Sequence, residues 1–368
     1  MIIRAKTTGL FVGKPLTDKQ RSNSEINIGE MESGTPALRS LPRRIVLELT
    51  NACNLNCVMC GRHAADFRLS RLSMSWFHAL EPLFDTIEEV TLMGWGEPTI
   101  HPDFEEMLRI IDRHTARKYF CTNGMRLGTL HDAIFEHHVD VFAVSVDGAT
   151  QETNAAIRKG SQLDSINQNL RKIVETKHAR NLQYPYINYV FCAMRRNLHE
   201  LLAVVEMAAS VGLEEVKVVF LTAFAEDLVQ ETLYGCESEI EQVFGEAAQR
   251  AEELGVLLKL PYIRGTDPAG DKEHRDCFVG YRDFFLGSDG YVRPCMSTPD
   301  KFFQFDAEKD FMDIWNAPEY QKHRQIVNTP QMDAHCRSCY QSSHCNWNNK
   351  KSYIQCGETF APVWGEGK

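Results

Sequence analysis

Short apolar or β-branched runs recur six times between residues 44 and 221. They read RIVLEL (44–49), EVTLM (89–93), KYFCT (118–122), DVFAVSV (140–146), INYVFCA (187–193) and EVKVVFL (215–221). Helical patterns lie between most of them. The clearest, LHELLAVVEMAASVG, puts Leu198, Leu201, Leu202, Val205, Ala208 and Ala209 on one face and stops at Gly212. Parallel strands need a long crossover between them, usually a helix. Six alternations therefore predict an α/β fold built on a parallel sheet, either open or curled into a partial barrel. Each run is a weak signal; the repetition carries the argument.

The flanks read differently. Residues 1–43 are polar and rich in Ser, Thr, Gly and Pro, which predicts a flexible N-terminal arm. The stretch 236–272 reads as a helix, SEIEQVFGEAAQRAEELG, and a connector, PYIRGTDPAGDKEH, that marks the domain boundary. In 273–368, FFLGSDGYVRPCM has the pattern of a hairpin, with Gly290 supplying the positive φ of a Ser-Asp-Gly turn. KDFMDIWNAPEYQKHRQIV suggests a short helix, and the residues after it are Cys-rich and irregular. The expected units are thus 1–43, a barrel at 44–235, the helix and connector at 236–272, and a small C-terminal domain at 273–368.

The charge sum is 40 − 50 = −10, with a sequence pI near 5.7. A nucleic-acid binder usually carries a basic face, so that partner class is disfavoured. No apolar run approaches 18 residues and the first residues lack a signal-peptide core, so a soluble, cytoplasmic protein without a membrane partner is expected. In that reducing compartment the twelve cysteines point to metal rather than to disulfides. They are not scattered evenly. Three crowd into 53–60 and six into the last quarter, which suggests two metal centres.

TNACNLNCVMCGR (50–62) sets Cys53, Cys57 and Cys60 at a C-x3-C-x2-C spacing just past the first run. In a parallel barrel, chemistry sits at the C-terminal ends of the strands. Three thiols could hold structural zinc if His63 were the fourth ligand. Alternatively, they could hold an iron–sulfur cluster with one iron left open.

The CNLNCVMC string resembles the cysteine motif of the radical SAM superfamily, and the resemblance extends over roughly residues 44–345. It implies a partial (β/α)6 barrel with a small C-terminal β-hairpin and Cys-rich auxiliary-cluster domain. It also implies a [4Fe–4S] cluster on Cys53, Cys57 and Cys60 whose open iron is chelated by S-adenosylmethionine. Reductive cleavage would then give a 5′-deoxyadenosyl radical that abstracts hydrogen from substrate, the electron coming from an external donor such as flavodoxin or ferredoxin. MGWGEPTIHPDF resembles the family's Gly-Gly-Glu-Pro element, with Gly96, Glu97 and Pro98 matching and Trp95 breaking the glycine run. Glycines there would admit the methionine moiety, and a carboxylate suits its ammonium. By the same resemblance Ser145 and Asp147, in AVSVDG, would reach the ribose and methionine ends. TNG (122–124) sits at another strand end, and Arg195 or Arg196 could meet the cofactor carboxylate. An iron–sulfur electron carrier or a zinc-stabilised binding module needs none of these elements.

Cys277, Cys295, Cys336 and Cys339 form a second, four-ligand set. Paired cysteines also suit zinc. Beside a radical SAM core, the set resembles the Twitch or SPASM auxiliary domain and implies one auxiliary [4Fe–4S] cluster. Cys345 continues the string, but Asn349 stands where the next SPASM cysteine would fall. Cys345 and Cys356 are left as structural thiols, partners for a second cluster, or catalytic hydrogen-atom donors. The resemblance points to a small hydroxylated substrate, of sugar or aminocyclitol type, oxidised at a carbinol carbon. The alternatives are an epimerase with a Cys donor and a ribosomal-peptide maturase. Cys121, Cys192 and Cys236 read as buried small hydrophobes, and His101, His137 and His138 as surface groups or groups behind the site.

Overall fold

A computed structural model describes residues 14–64, 68–223, 226–233, 235–261, 277–296, 300–333 and 336, and the two short strands at 354–356 and 362–364. The helices are α1 (Asp18–Glu32), α2 (Met74–Leu80), α3 (Phe104–Ile111), α4 (Leu127–Glu136), α5 (Gln151–Ile157) and α6 (Leu163–Ala179). They continue with α7 (Leu201–Val211), α8 (Glu237–Leu254), α9 (Val279–Arg282), α10 (Phe311–Trp315) and α11 (Pro318–Ile326). The predicted strands appear as β1 (Arg44–Leu47), β3 (Glu89–Leu92), β4 (Arg117–Thr122), β5 (Val141–Ser145), β7 (Tyr186–Ala193) and β8 (Glu215–Phe220). Two further strands, β2 (Asn56–Cys57) and β6 (Arg158–Lys159), pair only with each other. C-terminal to the barrel run come β9 (Leu257–Lys259), β10 (Asp283–Leu286), β11 (Tyr291–Arg293), β12 (Phe303–Gln304), β13 (Ile354–Cys356) and β14 (Pro362–Trp364).

The main sheet runs β12-β11-β10-β1-β3-β4-β5-β7-β8-β9. From β10 to β9 every pairing is parallel, and β11 and β12 turn back antiparallel. One face of the strands packs on the helices. Phe120 stands edge-on to Phe104 at 5.3 Å and stacks on Phe142 at 5.2 Å. The alternate residues Tyr119, Val141 and Ala143 pack with Cys121, Tyr186 and Val190 on the opposite face. That face is the inner side of the partial barrel. Helix ends obey the local rules: Gly212 and Gly255 close α7 and α8 in the left-handed region, at φ +87° and +69°.

Four expectations need correction. The N-terminal arm is not flexible throughout, because α1 docks on the barrel. Its buried face is polar (Gln20, Asn23, Ser24, Asn27, Glu30), so apolar periodicity could not reveal it. Hydrogen bonds hold it instead: Gln20 Nε2 donates to Ile87 O at 2.7 Å, and Asn27 Nδ2 to Tyr281 O at 2.9 Å. The boundary at 236–272 does not leave the barrel cleanly, since β9 adds to the parallel sheet beside β8. Nor is the C-terminal hairpin separate. Its first strand, β10, pairs in parallel with β1, from Arg44↔Asp283 to Leu47↔Leu286. Arg44 and Arg282 lock that seam. Burial pushes the Asp283 carboxyl up, but the two guanidiniums outweigh it and hold the group at about 2. Gly290 has the predicted positive φ, +79°, and a Cβ there would meet the Trp76 ring at 2.4 Å. The single helix expected at 309–327 is two, α10 and α11, broken before Pro318.

Candidate active site at the strand ends

The cysteine loop leaves β1 and is pinned at its base. Thr50 Oγ1 donates to Ser70 O at 2.9 Å, and Asn51 Nδ2 donates to Arg68 O at 2.8 Å. The GWGEP loop, leaving β3, presses on its other side. Glu97 N donates to Ala52 O at 2.8 Å, and a Cβ on Gly96 would lie 2.3 Å from the carbonyl oxygens of both Thr50 and Ala52. The glycine requirement at Gly96 thus comes from loop-to-loop contact within the chain. Beneath, Glu48 receives the Trp95 N–H at 2.8 Å and the Ser288 hydroxyl at 2.7 Å, tying β1, this loop and the β10–β11 turn together.

Glu97 is 3% exposed and both its oxygens are engaged. One accepts from Thr99 Oγ1 (2.6 Å) and Thr122 Oγ1 (2.7 Å), the other from Asn123 N (2.7 Å). Burial outweighs these bonds and pushes its pKa up. The carboxylate thus joins its own loop to the one after β4, while the Glu97 backbone N–H reaches the cysteine loop. Pro98 opens the buried turn after it. The chain of contacts ends at the thiols, for Asn123 Nδ2 lies 3.7 Å from Cys53 Sγ and 2.7 Å from Asn54 Oδ1.

Cys57 belongs to the two-residue ladder in which it faces Arg158, and Val58 N donates to Ile157 O at 2.9 Å. Arg158 Nη1 stands 4.0 Å from Cys57 Sγ. Burial, chiefly, pushes Cys57 up to about 11; Arg158 opposes the rise, and Cys60, Asp147 and Cys53 add to it. Cys60 is also raised by burial, against a backbone hydrogen bond from Arg62 and the charges of Arg62 and Arg158. Cys57 and Cys60 thus both feel the Arg158 cation. Among the described residues no three His, Cys, Asp or Glu side chains converge as ligands of a single ion would. His63 does not join them. Its Nε2 lies 2.9 Å from Cys57 O.

Arg158 is the functional residue the sequence reasoning missed. It is held by Asp147, whose Oδ2 lies 2.7 Å from Arg158 Nε, while Asp147 Oδ1 accepts the Cys192 N–H at 2.7 Å. Asp147 is 0% exposed and sits in a buried ion pair. Ser145, half-buried, has its Oγ 3.7 Å from Cys121 Sγ. Cys121 and Cys192 are half-buried and pack against apolar clusters of the barrel, as small hydrophobes do. Arg195 is exposed, and its Nε donates to Thr232 O at 2.8 Å. Arg196 pairs with Glu231. His101 is buried, its Nε2 3.2 Å from Leu72 O, rather than at the surface.

At the other end, Cys277, Cys295 and Cys336 are half-buried, and Asn328 brackets the Cys277 backbone with bonds of 2.7 and 3.1 Å. Cys339 and Cys345 lie outside the described residues, as does the side chain of Cys356 on β13.

Two family models match. One, the radical SAM superfamily, spans residues 47–227, and the other, an iron–sulfur cluster-binding domain named SPASM, spans 277–340. The chain is 25% identical to the AdoMet-dependent heme synthase of Methanosarcina barkeri, over 88% of this chain and 95% of that one. It is 23% identical to the antilisterial bacteriocin subtilosin biosynthesis protein AlbA of Bacillus subtilis, over 83% of this chain and 66% of that one. Among solved structures, SuiB of Streptococcus suis bound to precursor peptide SuiA shares the fold, with a TM-score of 0.65, 14% identity, and 89% and 78% of the two chains covered. A pinned three-cysteine loop at the end of β1, with these matches on either side of the connector, makes the chain a member of the radical SAM superfamily with a SPASM domain, an enzyme whose cofactors are S-adenosylmethionine and [4Fe–4S] clusters, an auxiliary one included.

Proposed function

We propose that this enzyme modifies a peptide, abstracting hydrogen from a carbon of a ribosomally made precursor. The supporting observation is the similarity to AlbA along 83% of the chain. The expected small polyol substrate draws no comparable support from these relatives. A second reading, a tetrapyrrole-modifying enzyme, rests on the similarity to heme synthase along 88% of the chain.

Bound S-adenosylmethionine and the clusters supply radical generation and one-electron transfer. The chain's residues do the rest. Cys53, Cys57 and Cys60 hold the first cluster, Arg158 balances its thiolate charge, and Glu97 and Asn123 fix the loop. Gly96 and Pro98 keep the neighbouring backbone close, and Ser145 lines the inner face. Arg195 stands at the rim, anchored to Thr232 O. Cys277, Cys295, Cys336 and Cys339 hold the auxiliary cluster, a suitable acceptor for an electron leaving an oxidised substrate. In an epimerase, Cys345 or Cys356 would return the hydrogen atom.

The test is anaerobic incubation of the reconstituted enzyme with S-adenosylmethionine, dithionite and candidate precursor peptides encoded near its gene. Peptide-dependent 5′-deoxyadenosine with a matching change in peptide mass supports the proposal. Turnover on a porphyrin precursor or a polyol, with every peptide inert, overturns it.

A further inference from the structure

Helix α11 touches both limbs of the chain that carry auxiliary thiols. On one side Arg324 Nε donates to Gly280 O at 2.9 Å, and Asn328, just past the helix, brackets the Cys277 backbone. On the other side the Tyr320 ring stands edge-on to Phe302 at 4.9 Å. Phe302 N in turn donates at 2.9 Å to the carbonyl of Val292, on the strand β11 that leads into Cys295.

Tyr320 is 0% exposed, with Phe284, Phe303 and Trp315 also packed on its ring. The Phe285 N–H approaches the phenol oxygen, but among the described residues nothing accepts the phenol proton. A buried hydroxyl without an acceptor is costly, and native proteins rarely keep one idle. Burial, chiefly, pushes the phenol pKa up, and Cys295 is among the charges it feels. Arg324 lies with its Cζ 5.0 Å from the ring centroid. A cation at a ring face draws electrons from the hydroxyl and sharpens it as a donor.

We propose that the Tyr320 hydroxyl donates a hydrogen bond to the auxiliary cluster on its Cys295 side and so sets that cluster's potential. The inference rests on Cys295 being one of the four auxiliary ligands. Donation stabilises the extra negative charge of the reduced cluster, which raises its potential and makes it a better acceptor for an electron leaving substrate. Arg282 does not do the same on the Cys277 side. It feels the Cys277 charge, but its Nε and Nη2 both donate to Asp283, at 2.8 Å each, and the carboxylate cancels much of its field.

Two variants of the reconstituted enzyme test it. Tyr320→Phe keeps the ring and removes the donor. Replacing Tyr320 by 3-fluorotyrosine, through stop-codon suppression, keeps both and makes the hydroxyl more acidic. The readout is a redox titration of the electron paramagnetic resonance signal that S-adenosylmethionine leaves unchanged. For Tyr320→Phe the equilibrium constant of one-electron reduction should fall about fivefold, a negative shift of about 40 mV at 59 mV per tenfold. The fluorinated enzyme should shift positive, and the signal that responds to S-adenosylmethionine should keep its wild-type potential in both. A role in packing alone would not move the two variants in opposite directions. Unchanged potentials, or shifts of one sign in both, overturn the inference. If Tyr320→Phe fails to hold its second cluster, the sign of the shift in the fluorinated enzyme decides. A wild-type enzyme with only about four irons and no such signal would instead overturn the ligand set beneath it.

Discussion

Replacing Arg158 by Gln removes a cation that stands 4.0 Å from the Cys57 thiol, proposed above to hold the first cluster. Two unit charges 4 Å apart at an effective dielectric of 20 interact by about 4 kcal/mol. That is a ceiling here, for two reasons. The electron added on reduction spreads over the cluster rather than resting on Cys57. Asp147, 2.7 Å from the guanidinium, also cancels much of its field. A net effect of about 1 kcal/mol remains, equivalent to about 40 mV for a one-electron couple. The sign follows from charge: the cation favours the reduced cluster, so Arg158→Gln shifts the midpoint potential negative. Asp147→Asn removes the opposing anion and leaves Arg158 in place, so it shifts the potential positive, and Arg158→Lys restores most of the wild-type value. The assay is a redox titration monitored by electron paramagnetic resonance, tracking the signal that changes when S-adenosylmethionine is added. Mere loosening of the loop would move both variants the same way. Equal shifts of one sign, or no shift in either, refute the reasoning.

Gly96→Ala forces a Cβ to within 2.3 Å of two backbone oxygens, so the GWGEP and cysteine loops must part. Iron bound at the first site should fall to less than half after reconstitution, while auxiliary iron stays. Cys336→Ser with Cys339→Ser should reduce iron from about eight to about four per chain, measured by colorimetric assay, because a [4Fe–4S] site needs its four ligands. Asp283 is held at about 2, below its unfolded value of about 3.9. A carboxylate with a depressed folded pKa stabilises above its unfolded pKa and loses that contribution as pH falls through the folded one. The β1–β10 seam should therefore weaken between about pH 4 and pH 2, by on the order of 2 kcal/mol. Asp283→Asn should flatten that part of a stability curve measured by denaturant titration. Phe120→Ala, deleting a ring packed between Phe104 and Phe142, should cost about 3–5 kcal/mol in the same measurement.

What the sequence determined by itself was local. Six strands, the stops at Gly212 and Gly255 and the turn at Gly290 follow from periodicity and from backbone freedom, both properties of neighbours in the chain. The C-x3-C-x2-C spacing was legible for the same reason, since its three cysteines lie within eight residues. Tertiary structure decided everything that depends on which distant groups meet. The polar face of α1 has no periodic signature, because what holds it is a set of hydrogen bonds to Ile87, Glu88 and Tyr281 rather than buried carbon. Glu97 and Asp147 were recognisable as candidate site residues, but not their partners within the fold, which brace both as buried struts. β10 joined β1 across 239 residues through Arg44 and Asp283. Arg158 met Cys57 across 101 residues because a two-residue ladder lays one strand over the other. Spacing along a chain carries no record of such a meeting; only the folded sheet brings the cation to the thiol.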